Sequence, residues 1–227
     1  MPQVLLSYET PYDSPEVLPV IPLYGAILFP RAQIPLNIFE PRYLSLIDDA
    51  LKGDRFIGII QPMEPEEKNN PEAMPPALQK IGCSGRITQF LETGDGRYLI
   101  TLTGVSRFQL VKELTPKTPY RICCVDYKAY AKDAIARQGE DEVDRQSLIE
   151  TLRRYSSLSS VQFDWKAISE APSEALVNAL SLMSPLGSNE KQALLEAVDL
   201  KARAELLVAM TEIEMAKSGI PNGQTLQ

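Results

Sequence analysis

The chain has 227 residues, 44% of them hydrophobic and 23% charged, with a net charge of −7 and a pI near 4.8. That length suits one large or two small domains with a core of their own, and the acidic balance disfavours a phosphate-binding groove. The absence of histidine removes Ser-His-Asp and Cys-His catalysis and histidine metal sites.

The acid is uneven: 14 Asp and Glu against 8 Lys and Arg follow residue 139, so acidic partners are disfavoured most strongly there. Cys83, Cys123 and Cys124 are odd in number and irregular in spacing. They read as reduced thiols packed in a core. No basic start leads into an apolar run of signal-peptide length, and no stretch approaches a membrane span. A cytoplasmic protein with no membrane partner is expected.

Residues 1–17 read as an arm. From Leu18 to Phe39, short apolar pieces carry Pro19, Pro22, Pro30 and Pro35, which belong at strand edges and turns because proline cannot donate to a ladder. Pro41 fits the first turn of a helix. "PRYLSLIDDALKGD" then predicts a helix with Leu44, Ile47 and Leu51 inward and Gly53 as its stop. "RFIGIIQP" is a strand, and residues 63–77, with four prolines, an exposed loop.

Next, "KIGCSGRITQFLET" and "RYLITLTG" flank "GDG", a tight hairpin signal. "RFQLVKEL" predicts a third strand with Phe108 and Leu110 on one face, and "YRICCVDYKAY" a fourth. Together they indicate an antiparallel sheet or small barrel.

At about residue 131 the pattern becomes helical. One stripe is Val143, Leu148, Leu152 and Tyr155. A second helix after Pro172 has Leu176, Leu180 and Met183 inward, stopped by Pro185 and Gly187. A third is capped by Ser188. A last one, capped by Asp199, has Ala202, Leu206, Met210 and Ile213 inward. Residues 218–227 read as a tail. The segments are therefore 1–17, 18–131, 132–217 and 218–227.

Little here carries chemistry. There is no Gly-Lys dipeptide and hence no P-loop, and no Gly-x-Gly-x-x-Gly. Gly82 and Gly85 in "IGCSGR" read as places of close backbone approach. The acidic clusters at Asp48-Asp49, Glu64 to Glu67 and Glu140 to Asp144 lie on predicted polar faces, not in the apolar pocket that a raised carboxylate pKa requires. No local feature identifies a Ser-Lys pair. Catalytic residues, cofactors and metals are all expected to be none. Aromatic residues around a groove beside a sheet edge, in contrast, are able to take up extended polypeptide.

The stretch "LPVIPLYGAILFPRAQIPLNIFEPRYLSLIDDAL" resembles the opening of the Lon protease N-terminal, or substrate-binding, domain. The residues that carry the resemblance are Leu18-Pro19, Pro22-Leu23, Phe29-Pro30, Pro35-Leu36, Phe39-Glu40 and Arg42-Tyr43. Ile81-Gly82, Asp95-Gly96-Arg97, Gly104 and Arg107-Phe108 resemble a second block of that family, and "EKQALLEAVDLKARAELL" its helical end. The resemblance covers roughly residues 18–215. One departure is Arg31, where the family usually has glycine after the Phe-Pro pair.

The resemblance implies an α+β chain, a β-rich PUA-like pseudo-barrel followed by a C-terminal helical bundle. It implies a non-catalytic polypeptide-binding or adaptor module, expected to stand alone without the ATPase and peptidase modules of a full Lon. Unfolded polypeptide or a partner protein is the expected ligand, at Tyr24, Phe29, Ile34, Leu36, Phe39 and Tyr43. Two alternatives remain. Nucleic-acid binding would require Arg31, Arg42, Arg86, Arg97 and Arg107 on one face, and a residual peptidase-associated hydrolase has no motif behind it.

Overall fold

The computed structural model describes residues 14–63, 75–115, 117–159 and 162–217. The arm up to residue 13, most of the loop predicted at 63–77 and the tail at 218–227 lie outside them. The chain divides into two compact units that meet in sequence between Ala136 and Arg137. The first is β-rich and the second helical, so the class is α+β as expected.

The β-rich unit contains β1 (Val17–Pro22), β2 (Gln33–Ile38), α1 (Pro41–Lys52), β3 (Phe56–Pro62), β4 (Leu78–Glu92), β5 (Tyr98–Glu113) and β6 (Arg121–Asp126), followed by a 3₁₀ helix, Lys128–Ala134. The sheet order is β2-β5-β4-β3-β1-β6, and a further β5–β6 pairing closes five of the strands into a barrel. Closure removes the sheet edges that would otherwise invite pairing with other chains. All five barrel strands supply the buried cluster of Leu18, Val20, Phe56, Ile60, Leu78, Phe108, Cys123 and Val125, completed by Tyr127.

Glycine lets the β4 backbone pass the largest of these side chains. A Cβ on Gly82 would lie 2.5 Å from the Phe108 ring and 2.7 Å from the Ile59 carbonyl oxygen. The close approach read from "IGCSGR" is thus accounted for by a named neighbour.

The prolines sort differently from expectation on β1. That strand is interior, between β3 and β6. Proline is tolerated because the β1–β3 register begins at Val20 and ends at Pro22, leaving Pro19 outside that ladder and Pro22 at its last rung. β2, by contrast, is an edge strand paired only with β5, as the position of Pro35 predicts.

Pro41 does open α1, but the buried residues are Tyr43, Leu46 and Ile47, with Leu44 and Leu51 half-buried beside them. The helix stops at Gly53. The left-handed residue that follows is Arg55, at φ 64°, and its N–H donates to the Ala50 carbonyl.

The hairpin loop spans the five residues 93–97, since Glu92 pairs with Tyr98. Two positive-φ glycines, Gly94 and Gly96, shape it. The predicted second and third strands are one strand, β5. It stays continuous because irregularities at Ser84/Gly85 and Ile87/Gln89 absorb the bend. The predicted fourth strand ends at Asp126, and "KAY" belongs to the 3₁₀ helix.

The helical unit has a short 3₁₀ turn (Glu140–Glu142), α2 (Arg145–Leu158), α3 (Trp165–Glu170), α4 (Ser173–Met183), α5 (Ser188–Glu196) and α6 (Leu200–Lys217). Asp144, Asp164 and Asp199 cap α2, α3 and α6 by accepting the Ser147, Ala167 and Ala202 amides at 3.0, 3.0 and 2.8 Å. Gly187, not Ser188, is the cap of α5. Met183 is 71% exposed at the end of α4, not inward. α6 buries Leu200, Arg203, Ala204, Leu207 and Met215 and leaves Ile213 exposed, a rotation of about one residue from expectation. The cause is the buried Arg203, which donates to the Leu194 carbonyl (3.0 Å) and Asn178 Oδ1 (2.9 Å). It thereby holds a charged residue where pattern reading demands an apolar one.

Candidate functional site

Two long strands outrun the barrel. β3 pairs with β4 only as far as Phe56 opposite Arg86, while β4 and β5 stay paired to Glu92 opposite Tyr98. β2 lies along the same half of β5, from Gln33 opposite Thr103 to Ile38 opposite Tyr98. Residues 87–92, 98–103 and 33–38 therefore form a three-stranded antiparallel extension.

Directly opposed residues share a face and neighbours alternate. One face carries Ile38 and Tyr98, then Leu36, Ile100 and Phe90. The other carries Asn37, Leu99 and Leu91, then Pro35, Thr101 and Gln89. On the first face Ile38 and Ile100 are buried, Leu36 is half-buried and Phe90 is exposed. The Phe90 ring meets Tyr98 edge-on, centroids 4.9 Å apart, and the Tyr98 hydroxyl donates to Asp48 Oδ1 of α1 at 3.0 Å. On the second face Leu91 is 59% and Leu99 43% exposed. Behind them lies a polar network in which Thr101 donates to Gln89 (2.9 Å), Gln33 donates to Thr103 (3.2 Å) and Thr88 meets Thr103 (2.9 Å). Phe39, just past β2, is 61% exposed.

The six residues read from the sequence do not gather. Phe29 and Tyr43 are buried and belong to the core, so neither is available to a ligand. Ile34 and Leu36 are half-buried on β2, with Phe39 exposed beside them. Tyr24 is exposed but lies near the far end of β3. Leu23 N–H donates to the Ile60 carbonyl, and the Tyr24 hydroxyl to that of Met63, whereas the extension begins beyond Phe56. Six residues of strand, roughly 20 Å, separate the two places. Sequence reasoning missed Phe90, Leu91 and Leu99. The signal was the adjacent Phe90-Leu91 pair, which places one apolar residue on each face near a hairpin tip.

The arginines do not share one exposed face. Arg42 pairs with Glu40 and Arg97 with Asp95, and Arg86 donates to the Asp54 carbonyl. Arg107 is buried. Its Nε and backbone N–H donate to Asp133 Oδ2 (3.0 and 2.9 Å), its Nη2 donates to Oδ1 (2.8 Å), and its guanidinium lies 4.5 Å from the Tyr130 ring centre. Burial disfavours the charged guanidinium, but the Asp133 carboxylate outweighs that and raises its pKa. This pair fastens the 3₁₀ helix Lys128–Ala134 to β5. Among the described residues no group of three or more His, Cys, Asp or Glu is placed to hold a metal, and no helix is long and apolar enough to cross a membrane.

In the helical unit, α2, α4 and α6 line an apolar groove of about 440 Å³, with Leu148, Leu152, Leu180 and Leu207 in its wall and Met183 at its rim.

Residues 17–212 match the family model of the ATP-dependent protease La (LON) substrate-binding domain. The chain belongs to this family. It is 28% identical to Lon protease 2 of Myxococcus xanthus over 205 residues, which is 87% of this chain and 24% of that protein. It is 27% identical to the Lon protease of Anaeromyxobacter dehalogenans over 216 residues, 92% of this chain and again 24% of the relative. The chain thus spans about a quarter of the length of these Lon proteases.

Two solved structures share the fold. One is a Lon N-terminal domain protein from Xanthomonas campestris, with a TM-score of 0.59, 22% identity and coverage of 85% of this chain and 97% of that one. The other is the N-terminal domain of a Mycobacterium avium complex Lon protease, with a TM-score of 0.59, 17% identity and coverage of 86% and 98%.

The glycine expected of the Lon pattern after Phe29-Pro30 is Arg31 here, and it adopts φ 64°. The left-handed turn is kept without glycine. Arg31 N–H donates to the Gly104 carbonyl (2.8 Å), Gly104 N–H to that of Ala32 (2.8 Å), and Arg31 Nη1 to that of Asp133 (2.6 Å).

Proposed function

We propose that this member of the Lon substrate-binding family is a non-catalytic module that recognises unfolded polypeptide, and that the three-stranded extension is its contact surface. The observation that carries the reading is apolar exposure on both faces of one sheet, by Phe90 on one, by Leu91 and Leu99 on the other, and by Phe39 just past the edge strand β2. Single exposed apolar residues need no explanation, but four of them within one short extension of a chain this acidic support an interaction surface. The buried ion pair of Arg107 with Asp133 fastens the 3₁₀ helix to β5. Nucleic-acid binding finds no support, because the five arginines do not form one exposed face: Arg31 and Arg107 meet at Asp133, where Arg107 is buried, and Arg42, Arg86 and Arg97 are held by Glu40, Asp54 and Asp95. A cytoplasmic setting accords with the free thiols of Cys83, Cys123 and Cys124.

A photo-crosslinking amino acid placed at Phe39 or Phe90 tests this. In the presence of a permanently reduced and alkylated, unfolded protein, both positions should capture it. Lys128, exposed on the 3₁₀ helix, should not. Equal capture at all three positions, or none at any, contradicts the reading.

A further inference from the structure

We propose that the outer edge of β4 over Thr88–Glu92 is a strand-addition site, which takes an extended polypeptide segment antiparallel to itself. This rests on the polypeptide-binding reading and names the edge, the backbone geometry and the charge order of the ligand.

The extension has two outer edges, and they differ. In an antiparallel ladder, residues alternate between pointing both backbone groups at one neighbour and at the other. On β2, Ala32 accepts from Gly104 N–H, so Ile34, Leu36 and Ile38 face β5 while Gln33, Pro35 and Asn37 face outward. The middle outward position thus has no N–H, which blunts that edge. On β4, Thr93 N–H donates to the Arg97 carbonyl, so Leu91 and Gln89 face β5, and Phe90 and Glu92 point both backbone groups outward. Ile87 N–H still meets the Arg55 carbonyl at 2.9 Å. Beyond it, no described strand lies against β4. Of the usual guards of an edge, the irregularity at Ile87/Gln89 and the charge of Glu92 stand at its two ends, and Gln89 to Leu91 between them contains neither proline nor charge.

Two outward residues spaced by two are what an antiparallel partner needs to exchange up to four bonds. A helix satisfies its own backbone and gains nothing here. Side chains of an added strand would alternate between the Phe90–Tyr98 side and the Leu91–Leu99 side, so an alternating apolar pattern fits. Charge fixes the order of the ligand's ends. Exposed Arg55 stands at one end of the edge and exposed Glu92 at the other, roughly 17 Å apart along the strand. An antiparallel segment would therefore carry a base near its N-terminus and an acid near its C-terminus. A second copy of this chain is the weaker candidate, because a five-residue edge buries only a few hundred Å², well short of the roughly 1,200 Å² of a stable interface.

The probe is a fluorescein-labelled peptide of lysine, five alternating threonine and valine residues, and glutamate. Two versions are N-methylated at alternate residues, one set on each of its edges. Fluorescence anisotropy should show binding of the parent and of one methylated version, with the other weakened by about tenfold or more. At saturation, amide exchange at Phe90 and Glu92 should slow while that at Leu91 stays unchanged. Equal binding of both methylated versions overturns strand addition and leaves the polypeptide reading standing. Failure of the parent peptide together with failure to capture unfolded protein removes both. Phe90 and Glu92 amides already protected in the free protein, or a dimer by sedimentation that Phe90→Pro dissolves, would show the edge covered from another source and overturn the proposal.

Discussion

Arg31 holds a backbone conformation that costs an L-residue roughly 1 kcal/mol relative to glycine, and its guanidinium offsets that with a bond to the Asp133 carbonyl. Two substitutions separate the terms. Arg31→Ala keeps the strain and loses the bond. Arg31→Gly loses both, so it should be the more stable of the two by about 1 kcal/mol in urea unfolding. Equal stabilities would mean that the turn carries no strain. Titration gives a second residue-scale test. Burial pushes the Cys123 thiol up to about 12. Burial, and then donation to Asp49, lifts the Tyr120 hydroxyl to about 12. A pKa raised by folding supports the fold fully below the unfolded value and loses that support as pH climbs to the folded value. Urea midpoints should hold to about pH 8.5, near the free thiol's value, and fall steadily above it. Cys123→Ala should make the fall shallower below the range in which the tyrosines ionise. A midpoint unchanged up to pH 10.5 would contradict this.

Among the elements, β2 is the one whose chemistry is set by a single residue. Pro35→Val adds an outward N–H without touching the β5 ladder. Monomer stability should change by less than about 1 kcal/mol, while sedimentation should reveal concentration-dependent association absent from the parent. A clear gain of stability instead would mean that the new N–H joins the β5 ladder and that Pro35 faces inward. The elements themselves were largely legible in the sequence. Pro41 announced α1, Asp199 announced α6, and the glycines of residues 93–97 announced the hairpin. Inward faces were harder to read. Arg203 turns α6 because a buried arginine with two oxygen partners behaves as a core residue. Met183 sits on the apolar stripe of α4 yet lies at the helix end, beyond cover. The single long β5 was hidden because the predicted strand stopped at Gly104. A Cβ there would lie 2.0 Å from the Phe29 carbonyl oxygen, so the glycine marks close packing inside a continuous strand.

At the scale of the whole molecule, the blocks around Leu18-Pro19, Phe29-Pro30 and Arg107-Phe108 were enough to indicate the family and the α+β class. The contact surface was only half legible. Tyr24 and Phe39 are neighbours in the proline-rich opening, but β3 places them about one strand length apart. Phe29 and Tyr43 are aromatic for the sake of the core. Phe90, Leu91 and Leu99 become a surface only because β4 and β5 outrun β3, a matter of non-local pairing that no local pattern records. The most direct test is a titration of a labelled, reduced and alkylated unfolded protein with the parent chain and with the Phe39→Ser, Phe90→Ser double variant, both shown to be folded by circular dichroism. The parent should bind with a Kd on the order of 10 μM, and the variant about tenfold more weakly. Equal affinities, or no binding by the parent at that concentration, would contradict the assignment of polypeptide recognition to this surface.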